Sequence, residues 1–269
     1  TAQGSYFTCV TAIDAAGNET AATNNNYSFA LDTAAPGAFS IQQPSAKTND
    51  TTPTISWSTA AGATSYQLII DNEATCSAPY DDQQNLTTNS YTPTSTLNEG
   101  DHYICVSATD DAGNTIAATN SNYQFTINQS GPDAFNITNP GTSAMAAGAV
   151  IWEEAANADR YLVIVDDEDT CSEPYIATTT TTNLSFSYGG LSDNTTYYTC
   201  VTALDDFGNS QVATNSPYGF NVDDQAPGAF SITDAPSGSD RTPTITWNAS
   251  DTAARYRVII DTESPCVLP

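Results

Sequence analysis

A repeat runs through the whole 269-residue chain and limits what it can fold into. The same motifs return every 95 or 96 residues, a length that suits one small β-sandwich. A period of this size predicts a linear array of similar domains. The repeated positions are the proline of a Pro-x-Ala-Phe motif (Pro36, Pro132, Pro227), a tryptophan (Trp57, Trp152, Trp247), a tyrosine (Tyr66, Tyr161, Tyr256) and two cysteines (Cys76, Cys171, Cys266 and Cys9, Cys105, Cys200).

Each repeat consists of short segments of alternating apolar residues, separated by turn residues. Thr and Tyr, which are abundant here, favour strands, whereas Asn, Asp, Gly and Pro favour turns. No segment has sustained helical periodicity, so the sequence predicts an all-β fold. In the first complete repeat the predicted strands are 38–42, 54–58, 65–71, 84–92, 103–109 and 122–128.

The repeat divides the chain into four units. Unit 1 (1–33) supplies the last two strands of a β-sandwich, and unit 4 (225–269) supplies the first three. Unit 2 (34–128) and unit 3 (129–224) are predicted to be complete domains. Only about three residues separate the last strand of one unit from the next Pro-x-Ala-Phe motif, so we expect stiff linkers and a rod.

The sequence resembles the fibronectin type III family, in the divergent form common in bacterial surface proteins. The repeated Trp and Tyr carry this resemblance, together with the step from Leu191 to Tyr197, which suits a tyrosine corner. An Asp-x-x-Gly-Asn motif at Asp14–Asn18, Asp110–Asn114 and Asp205–Asn209 resembles the turn between the last two strands of bacterial members. The resemblance implies tandem fibronectin type III/Ig-like β-sandwich domains in a linear array.

The cysteines form one pair in each complete unit, Cys76 with Cys105 and Cys171 with Cys200, and both pairs are 29 residues apart. In the fold that the resemblance implies, the two members lie on or beside neighbouring strands, so we expect intradomain disulfides. A metal site is disfavoured because the chain has no Cys-x-x-Cys pair and one histidine. Stable disulfides imply an oxidising compartment, so the protein is expected to be secreted or on the cell surface.

Cys9 and Cys266 have no counterpart within their own units. One hypothesis is that copies of the chain join head to tail, with residues 5–31 of one completing residues 227–269 of the next, and Cys266 bonding Cys9. The alternative is that units 1 and 4 are pieces of a longer array. Other copies of the chain are therefore the first expected partner, and a surface glycan or protein is the second.

The charge of the chain excludes some partners. Thirty-one acidic residues against five basic ones give a net charge of −26, which disfavours nucleic acid and anionic membrane surfaces. No apolar stretch is long enough for membrane insertion. The acidity is compatible with bound cations or with solubility by self-repulsion.

Acidic residues at two recurring places suggest a calcium hypothesis, and no other cofactor is expected. Asp32 and Asp223 lie in the linkers, while Asp71, Asp166 and Asp261 follow the third predicted strand of their units. Calcium takes six to eight oxygen ligands, which such clusters supply. The alternative is that these aspartates are ordinary turn residues.

No catalytic motif occurs, and the recurring residues serve turns, core and cysteine pairing, so we expect no enzymatic activity. His102, the only histidine, is expected to be structural, and Phe207 is expected to pack against its own unit. The favoured function is a stalk or filament of disulfide-bonded sandwiches. The alternatives are an adhesin that binds a glycan or protein through its loops, and an accessory region of a secreted enzyme.

Overall fold

The computed structural model describes residues 3–78, 80–141, 143–234, 242 and 244–260. Every regular element in these residues is a β-strand, as the sequence predicts. Within the described ranges, no helix has the length and apolarity needed to cross a membrane.

The strands number 24 in the described residues. Unit 1 has β1 Gly4–Thr8, β2 Thr11–Ile13, β3 Glu19–Ala21 and β4 Tyr27–Leu31. Unit 2 has β5 Ile41–Gln43, β6 Lys47–Thr48, β7 Ile55–Trp57, β8 Ser65–Asp71, β9 Asp82–Leu86, β10 Ser90–Tyr91, β11 Gly100–Thr109, β12 Thr115–Ala117 and β13 Tyr123–Ile127. Unit 3 has β14 Ile137–Asn139, β15 Ser143–Ala144, β16 Gly148–Trp152, β17 Arg160–Asp166, β18 Ala177–Thr181, β19 Ser185–Tyr188, β20 Thr196–Leu204, β21 Ser210–Val212 and β22 Tyr218–Val222. Unit 4 has β23 Ile232–Asp234 and β24 Thr246–Trp247.

Units 2 and 3 are two-sheet sandwiches with the same topology. In unit 2 a three-stranded sheet has the order β10-β7-β5, and the facing sheet has the order β6-β13-β11-β8-β9 with β12 paired to β11. Unit 3 repeats this with β19-β16-β14 and β15-β22-β20-β17-β18, with β21 paired to β20. All pairs are antiparallel except β6 with β13 and β15 with β22, which are parallel.

Alternation along the strands builds one core in each complete unit. In β11 the side chains of Ile104, Val106 and Ala108 are fully buried, while those between them are partly exposed. The period of two therefore places one face of the strand against the opposite sheet. β20 repeats the pattern with Val201 and Ala203.

An aromatic cluster joins the two sheets of unit 2. The ring of Tyr66 lies 5.5 Å from that of Trp57 and 5.7 Å from that of Phe39, both in edge-to-face contact. Its hydroxyl accepts a hydrogen bond from the backbone N–H of Ala60 at 2.9 Å. The same three rings meet in units 3 and 4, as Phe135, Tyr161 and Trp152, and as Phe230, Tyr256 and Trp247.

Most of the predicted strands are confirmed, with shifts at their ends. The strand predicted at 65–71 is β8 without change, and those at 103–109 and 122–128 correspond to β11 and β13. The region 84–92 is two strands, β9 and β10, on different sheets. Strands β6 and β12 are not predicted from the sequence, because they are two and three residues long and therefore too short to show an alternation.

The expected tyrosine corner is present in unit 3. The Tyr197 hydroxyl accepts the backbone N–H of Ser192 at 3.0 Å. In unit 2 His102 occupies the equivalent position, where its Nε2 bonds the carbonyl oxygen of Asn98 at 2.8 Å. His102 is buried and stacks on Phe125 at 5.4 Å, so its packing role is as expected.

The hydroxyl of Tyr66 gives a direct test of the aromatic cluster. Tyr66→Phe leaves the buried N–H of Ala60 without its partner, so the free energy of unfolding of unit 2 should fall by about 1–3 kcal/mol. Hydrogen exchange of peptides from unit 2, with unit 3 as internal reference, measures this in the whole chain. Tyr103→Phe is the control, because its hydroxyl makes no hydrogen bond to the described residues; equal losses in both variants would contradict the prediction.

Candidate functional site: the junctions between units

Both predicted intradomain disulfides are present. Cys76 bonds Cys105 and Cys171 bonds Cys200, with Cα atoms 6.4 Å apart in each pair. Cys105 lies on β11 and Cys76 follows β8, its partner strand, so the bond ties a loop to the sheet. The metal alternative is therefore wrong for these four sulfurs, because each is bonded to another sulfur.

The loops that lead to Cys76 and Cys171 share one conformation. Each begins at a buried aspartate, Asp71 or Asp166, and each cysteine N–H bonds the carbonyl of the glutamate three residues before it. Oδ1 of Asp71 accepts the N–H of Glu73 at 3.3 Å, and Oδ1 of Asp166 accepts that of Asp167 at 2.9 Å. These aspartates thus act as turn residues that position the disulfides.

Of the two remaining cysteines, only Cys9 lies within the described residues. Cys9 is exposed, and its thiol donates to Oδ1 of Asn26 at 3.1 Å. Cys266 lies outside the described residues, as does Asp261. The bond between Cys9 and Cys266 of successive copies stays a prediction.

The three linkers begin with the same hydrogen bond. Oδ1 of Asp32, Asn128 and Asp223 accepts the N–H of the residue two positions later, at 3.0, 2.8 and 3.1 Å. An asparagine serves as well as an aspartate here, so the bond depends on the side-chain oxygen and not on its charge.

The calcium hypothesis stays a prediction for the linkers and for Asp71 and Asp166. In the described part of the chain, no three carboxylate, histidine or cysteine side chains lie close enough together to hold one ion. The visible role of each of these aspartates is a local turn bond.

The Asp-x-x-Gly-Asn motifs form compact turns between paired strands. Oδ1 of Asp110 accepts the N–H groups of Ala112 at 3.0 Å and Asn114 at 2.8 Å, and Oδ2 accepts Nδ2 of Asn114 at 3.0 Å. Gly113 adopts a φ of 88°, which favours glycine. The hydrogen bond from the Asn114 side chain, followed by those from backbone N–H groups, lowers the pKa of Asp110.

The asparagine that ends each turn also reaches the linker from the preceding unit. Nδ2 of Asn114 donates to the carbonyl oxygen of Asp32 at 3.3 Å, and Nδ2 of Asn209 donates to that of Asn128 at 2.9 Å. Asp32 and Asn128 hold equivalent places in successive linkers. One hydrogen bond, the linker clamp, therefore recurs at the junction of units 1 and 2 and at that of units 2 and 3, where it connects a turn of one unit to the chain that leaves the unit before it.

Linkers are also held by the units that precede them. Oε1 of Glu99 accepts the N–H of Gln129 at 2.7 Å. At the next junction, Oδ1 of Asp193 accepts the N–H of Asp224 at 2.8 Å. The linker between units 2 and 3 thus has a partner on each side.

Two basic residues converge at the junction between units 2 and 3. Lys47 of unit 2 and Arg160 of unit 3 both pair with Asp206, at 3.2 and 2.9 Å. The ammonium of Lys47 also lies 5.3 Å from the ring centre of Phe207. Nδ2 of Asn49 donates to Oδ1 of Asn209 at 3.1 Å.

Phe207, which was expected to pack against its own unit, also contacts unit 2. Its ring is covered by Lys47 of unit 2, which lies 160 residues earlier in the sequence. A contact between units leaves no local periodicity in the sequence, so the residues alone do not predict it.

Comparisons with known proteins agree with this architecture. Residues 40–129, about a third of the chain, match a family model described as a bacterial Ig-like domain. No curated protein matches the chain.

Three solved structures illustrate the likeness. The FN1-FN3 domains of chicken CNTN1 are 13% identical, cover 70% of this chain and 70% of that one, with a TM-score of 0.41. For fibronectin(III)-like modules of Clostridium thermocellum CbhA the identity is 13%, the coverage 69% and 94%, and the TM-score 0.45. A tetra-tandem repeat in the extending region of a large adhesion protein is 20% identical, with 86% of this chain and 60% of that chain covered and a TM-score of 0.28. These distant likenesses carry no functional argument.

Removal of one disulfide should weaken one unit alone. The double variant Cys76→Ser/Cys105→Ser should lower the free energy of unfolding of unit 2 by about 3–4 kcal/mol, the contribution that chain entropy gives for a loop of this length. Urea unfolding followed by hydrogen exchange resolves the units. Cys171→Ser/Cys200→Ser is the matched control and should weaken unit 3; equal weakening of both units by either variant would contradict the assignment.

The pKa of Asp206 reports on the contact between units 2 and 3. The hydrogen bond and charge of Lys47, and then those of Arg160, lower this pKa. Because the charged form is favoured in the folded chain, the interaction is complete above the ordinary aspartate range and is lost as the pH falls through the lowered pKa.

Lys47→Ala should therefore raise the pKa of Asp206 towards its ordinary value. Carboxyl ¹³C chemical shifts across a pH titration measure the change. Asp110 is the control, since its pKa is lowered within its own turn and should not respond. An unchanged titration of Asp206 would mean that the two units do not meet through Lys47.

Proposed function

We propose that this chain, a tandem array of fibronectin type III/Ig-like β-sandwiches, is a non-catalytic extracellular spacer that holds successive domains in fixed relative orientation. The observation that carries the proposal is the linker clamp, which has the same donor and equivalent acceptors at two junctions. Ig-like and fibronectin type III domains are generally non-catalytic structural or adhesive modules, and the disulfides suit a secreted or surface protein.

Short, doubly held linkers favour a stiff array. The linker between units 2 and 3 is bonded to Glu99 of the preceding unit and to Asn209 of the following one. Rotation about it would break both hydrogen bonds. The proline that ends the linker, Pro132, further restricts the backbone. A spacer built in this way transmits position and force along its length.

The distribution of charged residues supports the same function. The chain has only five basic residues, and two of them, Lys47 and Arg160, pair with one carboxylate at the junction of units 2 and 3. A net charge of −26 keeps such an array soluble and disfavours its collapse.

The finer predictions from the sequence remain proposals. Head-to-tail joining of copies through units 1 and 4 would lengthen the array. Calcium bound at the linkers would stiffen it. In the adhesin alternative the loops of the array bind a glycan or protein, and in the accessory-region alternative the array is attached to a secreted enzyme. Both alternatives are compatible with the same junction geometry.

Disruption of the linker clamp should release the units. In the unmodified chain, residual dipolar couplings of backbone N–H groups should fit one alignment tensor for units 2 and 3. Asn209→Ala removes the donor to Asn128, so the two units should require different tensors, and small-angle scattering should show a broader distribution of lengths.

Asn18→Ala is the matched control. Asn18 makes the same bond within its turn, with Nδ2 2.7 Å from Oδ2 of Asp14, but contacts no linker in the described residues. It should leave the shared tensor of units 2 and 3 intact. Independent tensors in the unmodified chain, or an Asn209→Ala chain identical to it, would refute the fixed orientation.

A further inference from the structure

Unit 1 presents an apolar face whose equivalent is buried in the complete units. Val10 is 59% exposed and Phe29 is 48% exposed. Their equivalents 191 residues later, Val201 and Phe220, lie in the core of unit 3. Exposed apolar side chains that share one face of a sheet mark a surface that another element covers.

Unit 4 presents the opposite apolar face. Phe230 and Val258 are each 53% exposed, and an open groove of about 300 Å³ has Trp247 and Tyr256 in its wall. The equivalent residues of unit 3 are all buried. The aromatic cluster of unit 4 is therefore assembled, but the described residues of its own unit do not cover it.

The complete units show which strands cover the face that unit 4 exposes. In unit 2, β11 and β13 belong to the sheet that closes the core, and β8 pairs with β11 so that Leu68 lies opposite Val106. The repeat makes Val258 the equivalent of Leu68, and Val10 the equivalent of Val106. The strands of unit 1 thus match the cover that unit 4 needs, in a defined register.

A polar side chain indicates the same register independently. In each complete unit, an asparagine near the last strand bonds both the N–H and the carbonyl of the isoleucine that begins the first strand. These pairs are Asn120 with Ile41 and Asn215 with Ile137. Their equivalents are Asn24 in unit 1 and Ile232 in unit 4. Asn24 is exposed, and its amide makes no hydrogen bond to the described residues, so it is available to an isoleucine of another unit.

The charges of units 1 and 4 favour contact between them. Unit 4 has three of the five basic residues of the chain, and unit 1 has three acidic residues and no basic one. They are Arg241, Arg255 and Arg257 in unit 4, and Asp14, Glu19 and Asp32 in unit 1. Because each copy carries a net charge of −26, the repulsion between copies is weakest where the basic unit meets the acidic one.

We propose that the apolar face of unit 4 binds unit 1 of a second copy of this chain. The strands of unit 1 cover the groove in the register of the complete units, with Val10 opposite Val258 and Asn24 bonded to the backbone of Ile232. Proteins commonly associate by adding strands to an exposed sheet. The contact joins two different surfaces, so it repeats along an open array. It rests on the proposed spacer only in that joined copies extend its length.

Symmetric contacts satisfy these surfaces less well. Two copies of unit 4 placed face to face would bring their arginines together and leave Asn24 unused. Two copies of unit 1 would bring their acidic residues together and leave the groove beside Trp247 uncovered. Only the contact between unit 1 and unit 4 covers both apolar faces and uses the amide of Asn24.

Two substitutions block the two surfaces separately. Val10→Asp and Val258→Asp each place a charge at an exposed position, so the single chain should stay folded, but the charge would be buried in the joint. In analytical ultracentrifugation at physiological ionic strength, the mass of the unmodified chain should rise with concentration beyond that of a dimer. Each variant alone should keep the mass of one chain. An equal mixture of the two should form a dimer and nothing larger, because only one joint can form.

Matched controls separate the joint from a general effect of the substitutions. Val212→Asp makes the same change at an exposed valine of β21 in unit 3 and should associate as the unmodified chain does. Asn24→Ala should weaken association by at least about tenfold, because it removes two hydrogen bonds. Asn72→Ala should have no effect, since this exposed side chain makes no hydrogen bond to the described residues. Cys9→Ser should still associate, because the contact rests on the strands.

Several results would overturn the proposal. An unmodified chain that keeps the mass of one chain at every concentration has no joint between copies. Association of Val10→Asp alone would indicate a contact between two copies of unit 4, and association of Val258→Asp alone a contact between two copies of unit 1. Loss of association in Cys9→Ser would reduce the contact to oxidation of an exposed thiol. The linker clamp between units 2 and 3 is measured in single chains, so failure of the joint leaves the spacer proposal standing.

Discussion

The contact of one tyrosine ring with a phenylalanine and a tryptophan is the interaction on which the rest of the structure depends. Tyr66 touches both Phe39 and Trp57, and its hydroxyl holds the backbone at Ala60. Phe39 ends the Pro-x-Ala-Phe motif that begins at the linker. The cluster thus fixes the point at which each unit receives the chain from the unit before it.

The junctions extend this rigidity from one unit to the next. A turn that is already closed by Asp205 and Asn209 uses the second hydrogen of the same amide to reach the linker. The linker is held on its other side by Glu99. Hydrogen bonds between preordered groups cost little conformational entropy, since neither the turn nor the linker has much freedom left to lose.

The two complete units show how one framework permits different surfaces. Asn120 and Asn215 each bond both the N–H and the carbonyl of the isoleucine that begins the first strand, so the bracing of the sheets is identical. At the opposite end of the sandwich, unit 2 has His102 among carboxylates, while unit 3 closes the same region with Tyr197 against Phe220. Both arrangements fill the same buried space beside a phenylalanine, Phe125 or Phe220, so the fold is the same in the two units.

The sequence alone determined the period, the all-β class, the positions of the main strands, the tyrosine corner and the pairing of four cysteines. These features repeat at a constant spacing or arise from local alternation, so they can be predicted from the order of residues along the chain. Only the tertiary structure decided which side chains cross the junctions. Asn209 meets Asn128 across 81 residues, and Lys47 meets Asp206 across 159. It also decided that Asp81 lies against His102. Contacts of this kind depend on how separate strands and units pack in space, and no periodicity along the chain records them.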